Sequence, residues 1–264
     1  LTNHKQKQAV GSDTARESPR RPRRQAERRE DAMTRILDAA EKLYALHGRD
    51  AVTVKAIASA AGVDYQLVSY YFGDAEAVFK AVFQRKSLVI NEIRNRRMDE
   101  YWAHNKGRLT VEGVFEAFLR PSIQTVADDP DYWTNYAAIV SYTNSSHFGG
   151  RELMRDAFDV TVHHFIDMLK ELAPEVPSRE IYWLYHHVSA SLTLALAQTG
   201  RIDVLSKGEC RSADLMTALD SMIRVFSAGF EGLRAKAGAT SAAKGTVKTG
   251  VQARKGLRGS MPAR

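Results

Sequence analysis

A chain of 264 residues, 44 % of them hydrophobic and 26 % charged, can bury one large core or two small ones, which excludes a fibrous or low-complexity protein. No apolar run reaches the roughly 20 residues of a membrane-spanning helix, no apolar stretch of the secretory type opens the sequence, and the single cysteine, Cys210, excludes an internal disulfide, so a cytoplasmic protein is expected. The net charge of +7 is uneven: residues 1–30 hold nine Lys or Arg against four acidic residues, residues 234–264 hold eight against none, and the chain between them therefore carries −6.

Residues 1–30 are too poor in large apolar side chains to offset ordering entropy, and they read as a disordered basic arm. Its run RRPRRQAERRE, which includes Arg28 and Arg29, is delivered wherever the first helix starts. That helix is predicted from about Asp31 to His47, with Ile36, Leu37, Ala40, Leu43 and Tyr44 at three- and four-residue spacing and Gly48 closing it. Thr53 caps a second helix that buries Ile57, Ala58 and Ala61 and stops at Gly62; Asp64 caps a third that ends at Phe72. Asp74 caps a long fourth, to about Arg97. Further helical stretches are predicted at about 111–127, 130–144, 150–172, 178–199 and 212–235, with breaks at Pro130, Gly149–Gly150, Pro174 with Pro177, and Gly200. The expectation is an all-α protein of nine helices: a helix-turn-helix head at 31–76, a helical ligand-binding and dimerisation body at 77–235, and a disordered basic tail at 236–264.

The stretch TVKAIASAAGVDYQLVSYYF is the most informative. Two helices joined through a short turn with Gly62 at the junction make a helix-turn-helix, small residues Ala58 and Ala61 let the helices cross closely, and Val63 and Val68 seat the second helix. The outer positions of that helix, Tyr65, Gln66, Leu67, Ser69, Tyr70 and Tyr71, offer hydrogen-bonding groups, an apolar contact for a thymine methyl and hydroxyls for phosphate, with no acidic residue after the cap to repel DNA. A helical hairpin inside an ordinary core shares the same spacing.

The longer stretch RILDAAEKLYALHGRDAVTVKAIASAAGVDYQLVSYYFGDAEAVFKAVF resembles the N-terminal domain of the TetR family of transcriptional regulators, in its ILDAA start, the Gly48 stop, the Thr53 cap, the IA and AGV core and the aromatic ending at Phe72. The resemblance implies an all-α homodimer whose heads bind a palindromic double-stranded DNA operator and whose variable body holds a small-molecule effector and the dimer interface. By that likeness Tyr65, Gln66 and Leu67 match residues that reach base edges, Thr53, Ser69, Tyr70 and Tyr71 match residues at phosphate or flanking bases, and Lys55 is placed to reach the backbone. The chain departs from the family pattern at Ala75, where Lys is usual, and at Ser69, where Tyr is usual, and the arginine-rich arm is a candidate to replace the missing attraction.

The body offers no nucleophile motif, phosphate loop or metal-ligand spacing, so no cofactor and no metal are expected. Its aromatic residues are the better clue. Trp133, Tyr136, Tyr142, His164, Trp183 and His187 are candidate pocket residues for a mostly apolar ligand. The segment IYWLYHHVSASLTLALAQTG loosely resembles the penultimate helix of family members that sense acyl or aromatic compounds. Ser189 and Ser191 on that helix, with Leu219, Met222 and Phe226 on the last, are candidate dimer contacts in a four-helix bundle. An effector-responsive repressor is the leading expectation; a helical enzyme using body His and Asp residues and a constitutive architectural DNA binder are the alternatives.

Overall fold

The computed structural model describes residues 20–146 and 149–256, with side chains described for 25–146 and 149–239. Ten α-helices and no strand form among them: α1 (Arg20–His47), α2 (Val54–Ala61), α3 (Tyr65–Phe72), α4 (Ala75–His104), α5 (Val111–Asp128), α6 (Pro130–Ser145), α7 (Gly150–Leu172), α8 (Ser178–Ala197), α9 (Arg201–Leu205) and α10 (Leu215–Gly256).

Side-chain caps start the helices where the sequence places them. The Thr53 hydroxyl accepts from Ala56 N at 3.2 Å, and the carboxylates of Asp64, Asp74 and Asp129 accept from the backbone of Gln66, Ala77 and Tyr132 at 2.7, 2.8 and 3.1 Å. Each satisfies an N–H that the first helical turn leaves orphaned.

The differences lie mainly at helix ends. α1 begins at Arg20 rather than near Asp31, so the helix takes in the part of the expected disordered arm that is described. Pro22 is tolerated there because first-turn N–H groups have no helical partner, and the Arg, Gln, Ala and Glu that follow are good helix formers. α10 runs on to Gly256 through the Ala- and Lys-containing stretch expected to be disordered, favoured by the same propensities. Residues 1–19 and 257–264 of the arm and tail lie outside the described residues. The short α9 falls between two stretches expected to be helical, where no helix was expected.

α1 packs on α2 and α4, and α3 on α2 and the start of α4, which makes a small head. Behind it α5 lies at the centre of the body, against α4, α6, α7 and α10, while α8 rests on α6, α7 and α10. The core is continuous between the two parts. Tyr44 in α1 meets Phe79 in α4 edge-on at 4.9 Å, Phe79 leads to Phe83 at 6.4 Å, and Phe83 reaches Tyr136 of α6 and Phe158 of α7 at 6.2 and 6.0 Å. The Tyr44 hydroxyl donates to the Ala75 carbonyl at 2.6 Å and fixes α1 to the first turn of α4. The head therefore sits on α4 without a flexible joint.

Candidate nucleic-acid interface and effector cavity

The turn between α2 and α3 depends on one residue. Gly62 has φ 63° and ψ 41°, left-handed values that only glycine adopts without a steric cost, and its N–H bonds back to the carbonyls of Ala58 and Ser59. The chain reverses there within three residues, and Val68, fully buried, pins α3 against the head.

That pinning decides what α3 presents. Tyr65, Gln66 and Tyr70 are exposed, Tyr70 by 82 %, while Leu67, Ser69 and Tyr71 are half-buried along its flank. Thr53 and Lys55 are exposed at the start of α2. Because α1 extends back to Arg20, Arg28 and Arg29 stand on a helix rather than a loose arm, exposed, and they line one concavity with Leu67, Tyr70 and Tyr71. The Arg29 guanidinium lies 5.6 Å from the Tyr71 ring centroid, within cation–π range. The result is an exposed face carrying hydroxyls, an amide and guanidinium groups, with the one carboxylate of α3's cap, Asp64, occupied by its own helix. Ala75 lies half-buried under Tyr44.

A buried ionic cluster joins head to body. Glu41 of α1 and Lys86 of α4 are both almost fully buried and meet at 2.7 Å, and Arg85 binds Glu41 at 3.0 Å and Asp38 at 2.7 Å. Lys86 also donates to the Tyr132 carbonyl at the start of α6, and its ammonium lies 3.7 Å from the Tyr132 ring centroid and 5.5 Å from that of Trp133. Removing Glu41 would leave Lys86 without a counter-charge in the interior, and removing Lys86 would leave Glu41 with Arg85 alone.

Trp133 is also a wall of a cavity of about 70 Å³ enclosed by α4 to α8. Its lining includes Phe118, Trp133, Tyr136, Phe158, Tyr185 and Leu192, with Ser122, Ser141, Asn144, Ser189 and Thr193 as the uncharged polar positions. Asn144 Nδ2 bonds the Thr193 hydroxyl at 2.7 Å and that of Ser189 at 3.2 Å, so most of this polarity is already spent between α6 and α8.

Of the pocket residues expected from the sequence, Trp133 and Tyr136 line this cavity. The other four lie outside it. Tyr142 is exposed in a surface groove between α6 and α8; His164, partly exposed on α7, has its Nε2 3.5 Å from Asp99. Trp183 and His187 stack on each other, 6.3 Å apart, on the outside of α8. The reason is helical phase: Leu184 and Val188 turn inward on α8, which turns Trp183 and His187 out.

The expected dimer contacts need a similar correction. Leu219 and Met222 are buried in the body's own core, Phe226 stacks on Phe115 at 6.2 Å, and Ser189 faces Asn144 within the fold; Ser191 is half-buried. Outward on these helices lie Tyr182, Trp183, His186, His187, Ala190 and Leu194 of α8, and Thr217, Asp220, Arg224, Val225, Ala228, Gly229, Glu231 and Gly232 of α10.

Sequence reasoning did not single out Glu41, Lys86 or Arg94, all three buried. Spacing could have found them: Lys86 and Arg94 continue the stripe Phe79, Phe83, Ile90, and Glu41 lies between Ala40 and Tyr44.

Comparison with known proteins agrees with this anatomy. Residues 36–82 match the model of bacterial regulatory proteins of the tetR family, and residues 116–229 match that of the tetracyclin repressor-like C-terminal domain. Among solved structures, the hemolysin II transcriptional regulator HlyIIR is 18 % identical, covering 73 % of this chain and 97 % of its own, with a TM-score of 0.51. A Shewanella sp. PV-4 protein assigned to the tetR family is 14 % identical, covering 75 % and 97 %, with a TM-score of 0.52. No curated protein matches the chain. With a helix-turn-helix head that matches one half of the family's pattern and a helical body that matches the other, the chain belongs to the TetR family of transcriptional regulators.

Proposed function

We propose that the protein is a repressor that binds a palindromic operator as a homodimer and is released by a small, mostly apolar effector held in the cavity between α4 and α8. The observation that carries the DNA half is the exposed α3 face, where Gln66 and Tyr65 can address base edges while Arg28, Arg29, Lys55, Thr53, Tyr70 and Tyr71 flank it as phosphate contacts. Ser69 and Leu67, being half-buried, contribute from the flank. Such work is done on DNA, in the cytoplasm. TetR-family members are transcriptional regulators rather than enzymes, and the alternative of a helical catalyst gains nothing from the body histidines, since His163 is exposed on α7 and His186 and His187 on the outside of α8, none of them lining the cavity.

Release follows from the ionic cluster. An effector that shifts Trp133 and Tyr136 moves the first turn of α6, and with it the Tyr132 carbonyl that Lys86 holds. Lys86 in turn fixes Glu41, so α4 and the head it carries move together relative to the body. Two heads at a changed separation no longer fit two half-sites together.

Selection of bound duplexes from a random pool tests the reading. The expected outcome is an enriched motif with two-fold symmetry; an enriched motif without symmetry, or none, would contradict it.

A further inference from the structure

The cavity holds one charge that nothing in the fold neutralises. Arg94, in the middle of α4, is 5 % exposed, and among the described residues no carboxylate pairs with it. Its Nε donates a long bond, 3.4 Å, to the Phe118 carbonyl, and its guanidinium carbon lies 4.1 Å from the Phe118 ring centroid. The two terminal nitrogens, four N–H donors in a planar fork, make no hydrogen bond. A guanidinium taken from water without a counter-charge is among the most costly groups a core can hold. Burial pushes its pKa down to about 10, so it still carries its proton at neutral pH.

A second unmet donor lies in the same lining. The Tyr136 hydroxyl is buried with no hydrogen bond of normal geometry, the Ser87 hydroxyl near it donating to the Gln84 carbonyl instead. Arg94 and Tyr136 both border the cavity, and Arg94 is the one charged residue among those that line it. The remaining wall is dominated by Ile90, Phe118, Phe158, Val162, Leu192 and Leu196. Two donors at one place and apolar side chains elsewhere describe a receptor for an apolar molecule with a single anionic group.

We propose that the effector is an apolar carboxylic acid whose carboxylate pairs with the terminal nitrogens of Arg94 and accepts from the Tyr136 hydroxyl, with its hydrocarbon or aromatic part against Phe118, Phe158 and Leu192. The planar guanidinium fork matches a carboxylate in two parallel bonds. A phosphate monoester fits less well, because it brings a second negative charge and the lining holds no second cation. The cavity of about 70 Å³ is about half the size of one that holds benzene, so an acid with a ring or a six-carbon chain enters only as the lining side chains give way. This rests on the reading of the cavity as the effector site, and it adds the head group that site selects.

The test pairs each acid with its primary amide, which keeps shape and removes charge. Binding of benzoate, phenylacetate and hexanoate, and of the three matching amides, to the full chain is measured by calorimetry at millimolar concentration. At least one acid is expected to bind roughly 10- to 100-fold more tightly than its amide, the range expected for a hydrogen bond to a charged group over a neutral one. Arg94→Gln should abolish the preference and Arg94→Lys keep part of it. If Arg94→Gln fails to fold, the acid-to-amide ratio in the unaltered protein, and its reduction in Tyr136→Phe, decide the matter. Acids and amides binding alike, or amides alone, would overturn the carboxylate while leaving the cavity as an effector site. No binding by any of the six would overturn the carboxylate and count against the cavity as well.

Discussion

At the scale of single residues, two members of the Glu41 cluster, one buried and one exposed, differ in what they should cost to remove. Lys86→Met leaves Glu41 buried beside Arg85 alone and vacates the Tyr132 carbonyl, so a loss of about 3–5 kcal/mol is expected in urea unfolding, the range for breaking a buried pair. Asp38, more than half exposed, contributes far less, and Asp38→Ala should cost about 0–1 kcal/mol. Equal losses would mean that burial does not set the energetics here. Gly62→Ala should cost about 1–2 kcal/mol, because alanine takes the left-handed region only against steric repulsion. The open space around Gly62 confines the cost to the backbone. These residues differ in how legible they are. Gly62 announces itself, since a glycine between two capped apolar stretches has few other uses. Lys86, Arg94 and Glu41 are hidden by their charge, and only their position within an apolar stripe gives them away.

At the scale of elements, helix boundaries marked by a capping side chain or a glycine are readable from the sequence, and those without such a mark are not. Thr53, Asp64, Asp74 and Asp129 each cap through a side chain whose identity the sequence displays. The ends of α4 at His104 and of α10 at Gly256 lie beyond the expected positions because charged and small residues continue a helix as well as they end it. The same continuation at α1 changes the expected part played by the arginines. Arg28 and Arg29 are held on a helix beside Tyr71, with their positions set before DNA arrives. Deleting residues 1–29 should weaken binding to all duplexes alike, and should flatten the slope of log affinity against log salt by about 0.9 for each phosphate that is no longer neutralised. The double change Arg28→Ala with Arg29→Ala should reproduce a share of that flattening. An unaltered salt slope in both would leave the N-terminal helix without a part in binding.

At the scale of the whole molecule, the apolar outer face of α8 is the clearest unspent surface. Trp183 and Leu194 are 54 % and 64 % exposed on it, beside the small residues of α10 that permit close approach, and a two-fold partner is the proposed cover. Leu194→Asp should therefore yield a folded monomer by light scattering with unchanged helical circular dichroism. Leu219→Asp, which puts a carboxylate into the core of one chain, should unfold it instead. A dimer surviving Leu194→Asp would move the interface elsewhere. The sequence points to this pair of helices but to their inner faces, because the apolar spacing that marks a dimer seam also marks a core. The cavity is half legible for a related reason. Trp133 and Tyr136 can be named as aromatic candidates, yet nothing in spacing alone separates them from Trp183.

The central claim is that α3 reads DNA sequence, and one titration tests it most directly. Binding of the unaltered chain and of Gln66→Ala is measured on the selected operator and on random duplex at the same salt concentration. Gln66 is exposed on α3 and takes no part in the head's core, so its removal should cost about 1–3 kcal/mol on the operator and leave random-duplex affinity nearly unchanged. Equal losses on both duplexes, or none on either, would contradict the account.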